Sequence, residues 1–356
     1  MFMSLSSINE EDVTSWTSIP FVSVCTPTFN RRPFIKTMVA CFNNQTYPKE
    51  RIEWIIIDDG TDKICDIVEN HPNVRYFAYD KKMPLGMKRN LMHKKSKGDI
   101  LVYMDDDDYY PPERIQHAVF KLITNELALC GGSSEMYIYF KHIHEMYQFG
   151  PYGKQHATAG TFAFKRELLD QTHYDDAACL AEETLFLKNY TIPFVQFEPI
   201  KTILVFSHIH NTFDKKTLLE QPLSKFVKLS QKTVDTFIKQ STNSKEIKKF
   251  FMEEIDYLLE KYEPGDPCYK PDVLAQIVEI ETSRINELKS INDISQQSMM
   301  IQEGDSPPKI MSQKEIIMLL QKQRKLILNQ ISVIKGKDIE LQILREELST
   351  VKQRVI

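Results

Sequence analysis

No two of the six cysteines form a Cys-x-x-Cys pair, which removes the common zinc and dithiol arrangements. Cys25, Cys41, Cys65, Cys130, Cys179 and Cys268 are scattered, mostly among apolar neighbours, and read as buried thiols of a reducing compartment. No uninterrupted apolar run reaches the roughly 18 residues of a membrane span. The best stretch, 192–206, is broken by Gln196, Glu198 and Lys201. The first dozen residues carry neither a basic region nor an apolar one, so no signal peptide is read there. A cytoplasmic protein without a membrane span is the resulting expectation. Basic excess is missing as well: the net charge is -4, and no nucleic-acid partner is expected.

What is present is 356 residues, 42% hydrophobic and 26% charged. That suffices for a real core and for two domains, or one large domain with a tail. The most informative run is 102–112, where Val102, Tyr103 and Met104 lead into Asp105-Asp106-Asp107-Asp108 and then Tyr109-Tyr110-Pro111-Pro112. Four adjacent carboxylates repel one another, so either solvent or a bound cation must compensate. An apolar strand ending in acids places that charge at the carboxyl edge of a sheet, where open α/β sheets bind ligands. Carboxylate oxygens there suit a hard divalent cation that also holds a diphosphate. The plain alternative is a solvated acidic turn.

The rest of the first half supports the sheet. Strand-like runs at 21–25, 52–57, 74–78 and 100–104 alternate with helical patterns at 30–44, 64–70 and 85–95. Such alternation indicates βαβ units and a mostly parallel sheet. Pro27 is expected to stop the first strand. Further strands are read at 136–140, 161–164 and 203–206, with a helix beginning near Ala181. Residues 217–262 look amphipathic and helical up to Pro264-Gly265-Asp266-Pro267, with another helix at 272–289.

Four polar features then fall along one edge in order: Thr26 to Asn30, Asp58-Asp59-Gly60, Gly86 to Asn90, and the acidic run. In these motifs the chain resembles the family 2 glycosyltransferases of GT-A fold. The family's Pro-Thr-aromatic-Asn opening is Pro27, Thr28, Phe29 and Asn30; its Asp-Asp-Gly-Ser element is Asp58 to Thr61. Its Gly-x-x-x-Arg-Asn segment is Gly86 to Asn90, and its Asp-x-Asp motif is Asp105 to Asp107. The resemblance covers residues 20–213. It implies an α/β, GT-A (Rossmann-like, mostly parallel) sheet and an inverting transfer from a nucleotide-diphosphate sugar to a hydroxyl. UDP-sugars come first as donors, with Mn2+ or Mg2+ as cofactor.

The resemblance also implies roles. Asp59 would accept the imide N–H of a nucleobase, although an Asx turn is the bland reading of Asp58-Asp59. Phe29 would pack on the base or belong to the core. Arg89 and Asn90 would approach ribose or phosphate, Asp106 the ribose, and Asp107 with Asp105 the metal. At Glu182-Glu183 the register makes Glu183 the general base and Glu182 its neighbour, where the family more often has Asp. Acids at a helix start are also favoured by the dipole alone. Past the 203–206 strand, the resemblance implies a histidine near the metal. His208 and His210 share a side if that segment is extended, and His210 is preferred because Asn211-Thr212 follow it. His142 and His144 lack a third ligand at a zinc spacing and read as acceptor-side or surface residues.

Two other readings stay open. A sugar-1-phosphate nucleotidyltransferase uses a related sheet but opens with a Gly-rich loop, and residues 22–30 contain no glycine. An inactive GT-A scaffold is the non-enzymatic alternative. The acceptor, whether glycan, lipid or protein, has no signature. The domain plan is 20–213 glycosyltransferase, 214–290 helical extension, 291–311 linker and 312–353 coiled coil. The last rests on Leu320, Ile327, Ile334, Leu341 and Leu348 at seven-residue spacing. This implies a homo-oligomer, or else one amphipathic helix docked on the body.

Overall fold

Residues 52–58 are buried without a break, as a strand covered on both faces requires. In the computed structural model this strand is the second of a seven-stranded sheet, one in from its edge. The structure describes residues 9–13, 16, 18–180, 183–220, 224–239, 242–295, 299–301 and 309–311, with 315, 316, 318–320, 322, 323, 326, 330 and 337. They belong to two compact units, 1–277 and 278–356.

The first unit begins β1 (Val22–Thr28), α1 (Arg32–Asn43), β2 (Ile52–Asp58), α2 (Cys65–Val68), β3 (Val74–Ala78), α3 (Leu85–Lys95), β4 (Ile100–Tyr103) and α4 (Arg114–Thr124). There follow β5 (Cys130–Gly132), β6 (Met136–Phe140), β7 (Glu145–Phe149), β8 (Ala163–Lys165), α5 (Glu183–Phe186), β9 (Phe194–Gln196) and β10 (Val205–Ser207). Next come β11 (Val227–Leu229), α6 (Val234–Phe237), α7 (Thr242–Lys249), α8 (Ile255–Glu260) and α9 (Pro271–Ser295), the last continuing into the second unit. The second unit also holds β12 (Met299–Ile301) and β13 (Lys309–Met311), an antiparallel pair.

The large sheet has the order β3-β2-β1-β4-β8-β5-β9. β1 to β4 are mutually parallel where they pair, and β8 is antiparallel to both β4 and β5. One face packs Val24, Trp54 and Val102 against Ile35, Met38 and Phe42; Trp54 and Phe42 stack at 4.2 Å. The other face packs Cys25, Ile55 and Leu101 against Met92, Phe164 and Phe186. A smaller sheet, β10-β6-β7-β11, closes a third cluster with α7 and α8, in which Phe206 stacks on Phe251 at 4.4 Å. Winding reverses at β1, which has β2 on one side and β4 on the other. That is the place in such sheets where a crevice opens beyond the strand ends.

Three expectations are corrected. Pro27 does not stop β1, which continues to Thr28. β4 pairs with β1 only through Cys25, so beyond it β1 has β2 alone and the missing N–H of Pro27 costs no ladder bond. The 217–262 stretch is not one helix; β11, α6, α7 and α8 divide it. Within the expected 291–311 linker, α9 runs on to Ser295 and β12 and β13 form a ribbon. Most of the heptad tail lies outside the described residues. Among the described residues no helix is long and apolar enough to cross a membrane.

Candidate active site

The acidic run is held from behind. Thr26 Oγ1 donates to the Met104 carbonyl at 2.6 Å, and the Asp105 amide donates to Tyr110 Oη at 2.7 Å. Arg114, fully buried, donates through Nη2 to the carbonyls of Tyr103, Thr161 and Phe162 at 3.2, 2.8 and 2.8 Å. The turn after β4 therefore cannot drift from the β8 side of the sheet.

Asp105, Asp106 and Asp107 line a cavity of about 270 Å³ beyond the ends of β1 and β4. Arg31, buried at the start of α1, reaches Asp106 at 3.6 Å and Asp107 at 3.3 Å, and Nη1 donates to the His210 carbonyl at 2.8 Å. His208 Nε2 lies 3.4 Å from Asp107 and 2.8 Å from Asn211 Nδ2. Burial pushes Asp106 up to about 7, with Arg31 pulling against it and Asp107 adding to it. Against the same burial, Arg31 and His208 hold Asp107 well below the usual carboxylate range. Burial and then Asp107 push Asp108 far up, and its Oδ1 is buried without a hydrogen-bond partner. Four adjacent carboxylates crowd here beside one guanidinium and a His208 that burial pushes down to about 3, which is the donor chemistry of a divalent-cation seat.

The opposite side of the cavity is basic. Gly86 brings α3 against the 175–178 loop: its amide donates to the Ala178 carbonyl at 2.8 Å, and a Cβ would sit 2.0 Å from the Asp175 carbonyl oxygen. That contact directs Lys88 and Arg89 into the cavity wall. Lys88 Nζ donates to Asp59 Oδ1 at 2.7 Å, and the Met83 amide donates to Asp59 Oδ2 at 2.6 Å. The Arg89 guanidinium contacts the rings of both Tyr103 and Tyr174, 4.8 and 5.2 Å from their centroids. Phe29 sits among Lys82, Lys88 and Lys270, whose ammonium groups are 5.4 to 5.9 Å from its ring centre.

The remaining wall comes from residues 211–213 and 215 and from Lys270 and Val273 of the 264–276 segment. Asn30 Nδ2 donates to the Pro264 carbonyl at 2.8 Å, and a Cβ on Gly265 would lie 2.5 Å from His210 Nδ1. Lys270 donates to Thr212 Oγ1 at 2.7 Å, and Lys82 to Asp272 at 2.6 Å. Gln276 Oε1 accepts the amides of Cys179 and Leu180 at 2.8 and 2.7 Å, fixing the loop just ahead of 182–183.

Of the residues singled out in the sequence, Pro27, Phe29, Arg89, Asp105, Asp106 and Asp107 meet at the cavity. Thr28 is buried at the end of β1. Asn30 is a hub of the β1–α1 turn, its Oδ1 accepting the amides of Thr61 and Asp62. Asp59 turns inward to Lys88 and Met83, with its side chain fully buried, so it acts on the cavity through them. Asn90 ties α3 to Tyr174 and Asp176. His208, not His210, stands beside Asp107: 208–211 is a turn rather than an extended segment, and His210 is pressed against Gly265. Glu183 opens α5 and is not among the residues lining the cavity, and Glu182 lies outside the described residues. Arg31, Lys82, Lys215 and Lys270 line the cavity unannounced by any motif. Only Arg31, one residue past Asn30, had a sequence signal that could have found it.

Among the described residues, Glu10, His117 and Glu198 also approach one another closely enough for a metal. Lys201 already occupies that cluster, 2.9 Å from Glu10, and both His117 nitrogens are engaged, by Glu10 and by the Glu198 amide. It is an ion-paired tie for the N-terminal segment.

Residues 23–179 match Glycosyl transferase family 2. Most of the large sheet, the four motifs and the acids of the crevice fall in that stretch. That stretch carries the likeness to a family 2 glycosyltransferase domain. An uncharacterized glycosyltransferase of Haemophilus influenzae is 26% identical over 121 residues, 33% of this chain and 48% of that protein. The poly(ribitol-phosphate) beta-N-acetylglucosaminyltransferase TarS of Staphylococcus aureus is 30% identical over 102 residues, 27% of this chain and 18% of its own length. Glycosyltransferase AglE of Haloferax volcanii is 28% identical over 33% of this chain and 40% of its own. The chain thus spans half or less of the curated relatives it matches. Among solved structures, a Pyrobaculum calidifontis mannosyltransferase with GDP-Man and Mn2+ superposes with TM-score 0.43 and 18% identity, over 53% of this chain and 57% of that one. TarS residues 1–349 with UDP-GlcNAc gives TM-score 0.40 and 19% identity, over 52% and 58%.

Proposed function

We propose that this family 2-like domain transfers a sugar from a nucleotide-diphosphate donor to a hydroxyl acceptor with inversion at the anomeric carbon. The observation that carries the reading is one cavity in which Asp105, Asp106 and Asp107 face Lys88, Arg89, Lys215 and Lys270 across a space beside Phe29. Acids on one wall and cations on the other suit a diphosphate that shares a divalent metal. Pro27 and Phe29 offer apolar surface to a base, and Arg89 and the lysines offer charge to phosphate. UDP-sugars are the first donors to try, on the family resemblance.

The surplus of carboxylate around Asp107 fits a cation, and Asp107 with Asp105 would hold Mn2+ or Mg2+. Such an ion, when bound, neutralises charge on the departing nucleoside diphosphate. Arg31 keeps Asp107 ionised and ready for it. Glu183 is the proposed general base, carried at the start of α5 behind the loop that Gln276 fixes. Inversion requires such a group to take the acceptor proton in a single displacement.

The test is a panel of nucleotide sugars screened by thermal shift with and without Mn2+, followed by product stereochemistry for any donor that turns over. Binding, metal-dependent turnover and an inverted product are expected. Absence of both transfer and hydrolysis with every common donor would instead favour an inactive scaffold. With a donor in hand, Glu183→Gln should leave donor binding near that of wild type and lower turnover by about 10²-fold or more.

A further inference from the structure

The cavity's last wall lies outside the matched residues 23–179 and contributes a buried charge of its own. Lys270 is only 8% exposed, yet its ammonium donates to a neutral hydroxyl, Thr212 Oγ1 at 2.7 Å. An ammonium has three protons to give, and a buried one needs anionic acceptors. The acids whose charge acts on it, Asp106 and Asp107, are already engaged by Arg31, and Asp107 by His208 as well. Lys82 and Lys88 are likewise spoken for, by Asp272 and Asp59. Of the two buried cavity lysines, Lys88 and Lys270, it is therefore Lys270 whose hydrogen bonding leaves room for an added anion. Its backbone is fixed by the turn 266–269, where Asp266 caps the Cys268 amide, and by the first turn of α9.

We infer that Lys270 is a diphosphate ligand of the donor, so that residues 264–276, beyond the family region, complete the nucleotide site. The inference rests on the donor reading above and adds a residue and a segment to it. Thr212 is the positioning residue that aims the ammonium, and Val273 supplies the adjoining apolar surface.

The full chain is titrated calorimetrically with uridine, UMP and UDP, and with GDP, CDP and ADP if UDP does not bind. Lys270→Met should weaken the nucleoside diphosphate by about 10- to 100-fold, the range of a charged hydrogen bond, while the bare nucleoside changes less than twofold. Lys270→Arg should recover most of the loss. Thr212→Val should weaken the diphosphate by roughly threefold to tenfold and gives a reading even if the methionine variant folds poorly. Unchanged diphosphate affinity in these variants overturns the role of Lys270 and leaves the donor reading standing. Equal loss of nucleoside and diphosphate shows Lys270 to be only a counter-charge for Asp106 and Asp107, and overturns it too. A wild-type protein that binds no nucleoside diphosphate removes the donor reading and the inference together.

Discussion

The guanidinium of Arg31 lies 3.3 Å from the carboxylate of Asp107, with both groups largely shielded from water. Protein charge thus stands beside acids that would otherwise repel each other unopposed. Arg31→Ala should destabilise the chain by roughly 3–5 kcal/mol, as removal of one partner of a buried pair does. Mn2+ should recover part of that, raising the melting temperature of the variant more than that of wild type. An equally stable variant with no larger response to Mn2+ would show that Arg31 carries no such burden.

Asp107 and Asp108 are neighbours with different surroundings. Asp107 lines the cavity beside Arg31 and His208; Asp108 does not line it and has a partnerless buried oxygen. Asp107→Asn should abolish metal-dependent binding of a nucleoside diphosphate, whereas Asp108→Asn should be milder and more stable than its parent. Calorimetry with and without Mn2+ separates them, and equal loss of affinity in the two would dismiss the distinction.

Gln276 acts at a distance. Its side-chain oxygen holds two successive amides, of Cys179 and Leu180, immediately before the acidic pair 182–183. Gln276→Leu should leave nucleotide affinity within a few-fold of wild type and lower turnover by about 10- to 100-fold through misplacement of the base. A loss confined to affinity would show that the loop serves the donor rather than the acceptor.

His93 supplies a pH dependence away from the acids. Its ring is buried against Tyr103, with Nε2 2.7 Å from the phenol oxygen, and burial, then Arg89, pushes it down to about 3. The unfolded chain binds a proton near 6.5 and the folded one does not, so stability is fully kept above 6.5 and declines as pH falls towards 3. The slope is roughly 1.4 kcal/mol per pH unit for that one proton. His93→Gln should lose that part of the acid sensitivity in melts between pH 7 and 4. An identical pH profile for the two proteins would rule His93 out as its source.

The heptad tail is the remaining expectation. Truncation near residue 305 should convert an oligomer to a monomer with donor hydrolysis largely intact, measured by light scattering. A full-length protein already monomeric would end the coiled-coil reading.

The strands and acids of the first half were legible because their signals are local. A run such as 52–58 declares its burial by composition, and Asp105 to Asp107 declare their place by ending a strand. α3 runs over 85–95, as its helical pattern implies, with Pro84 at its N-cap and Ser96 at its C-cap. What failed depended on contacts distant in sequence. Nothing near Pro27 says that β4 stops pairing at Cys25, and nothing near His210 says that Gly265 will crowd it. The inward turn of Asp59 needs Lys88, 29 residues on, and Lys270 needs a segment that no motif connects to the sheet.

The Asn30–Pro264 hydrogen bond joins residues 234 apart, and Lys82–Asp272 residues 190 apart. Closures of that span form late, because loop entropy must be overcome first. The crevice should therefore be among the last parts of the first unit to become whole. It is also positioned to open first: residues 264–276 can detach while the central ladder stays zipped. Amide exchange should show this as early labelling at 266–274 well ahead of β1 and β2. Nucleoside diphosphate, by bridging the two parts, would slow that labelling without touching the strands.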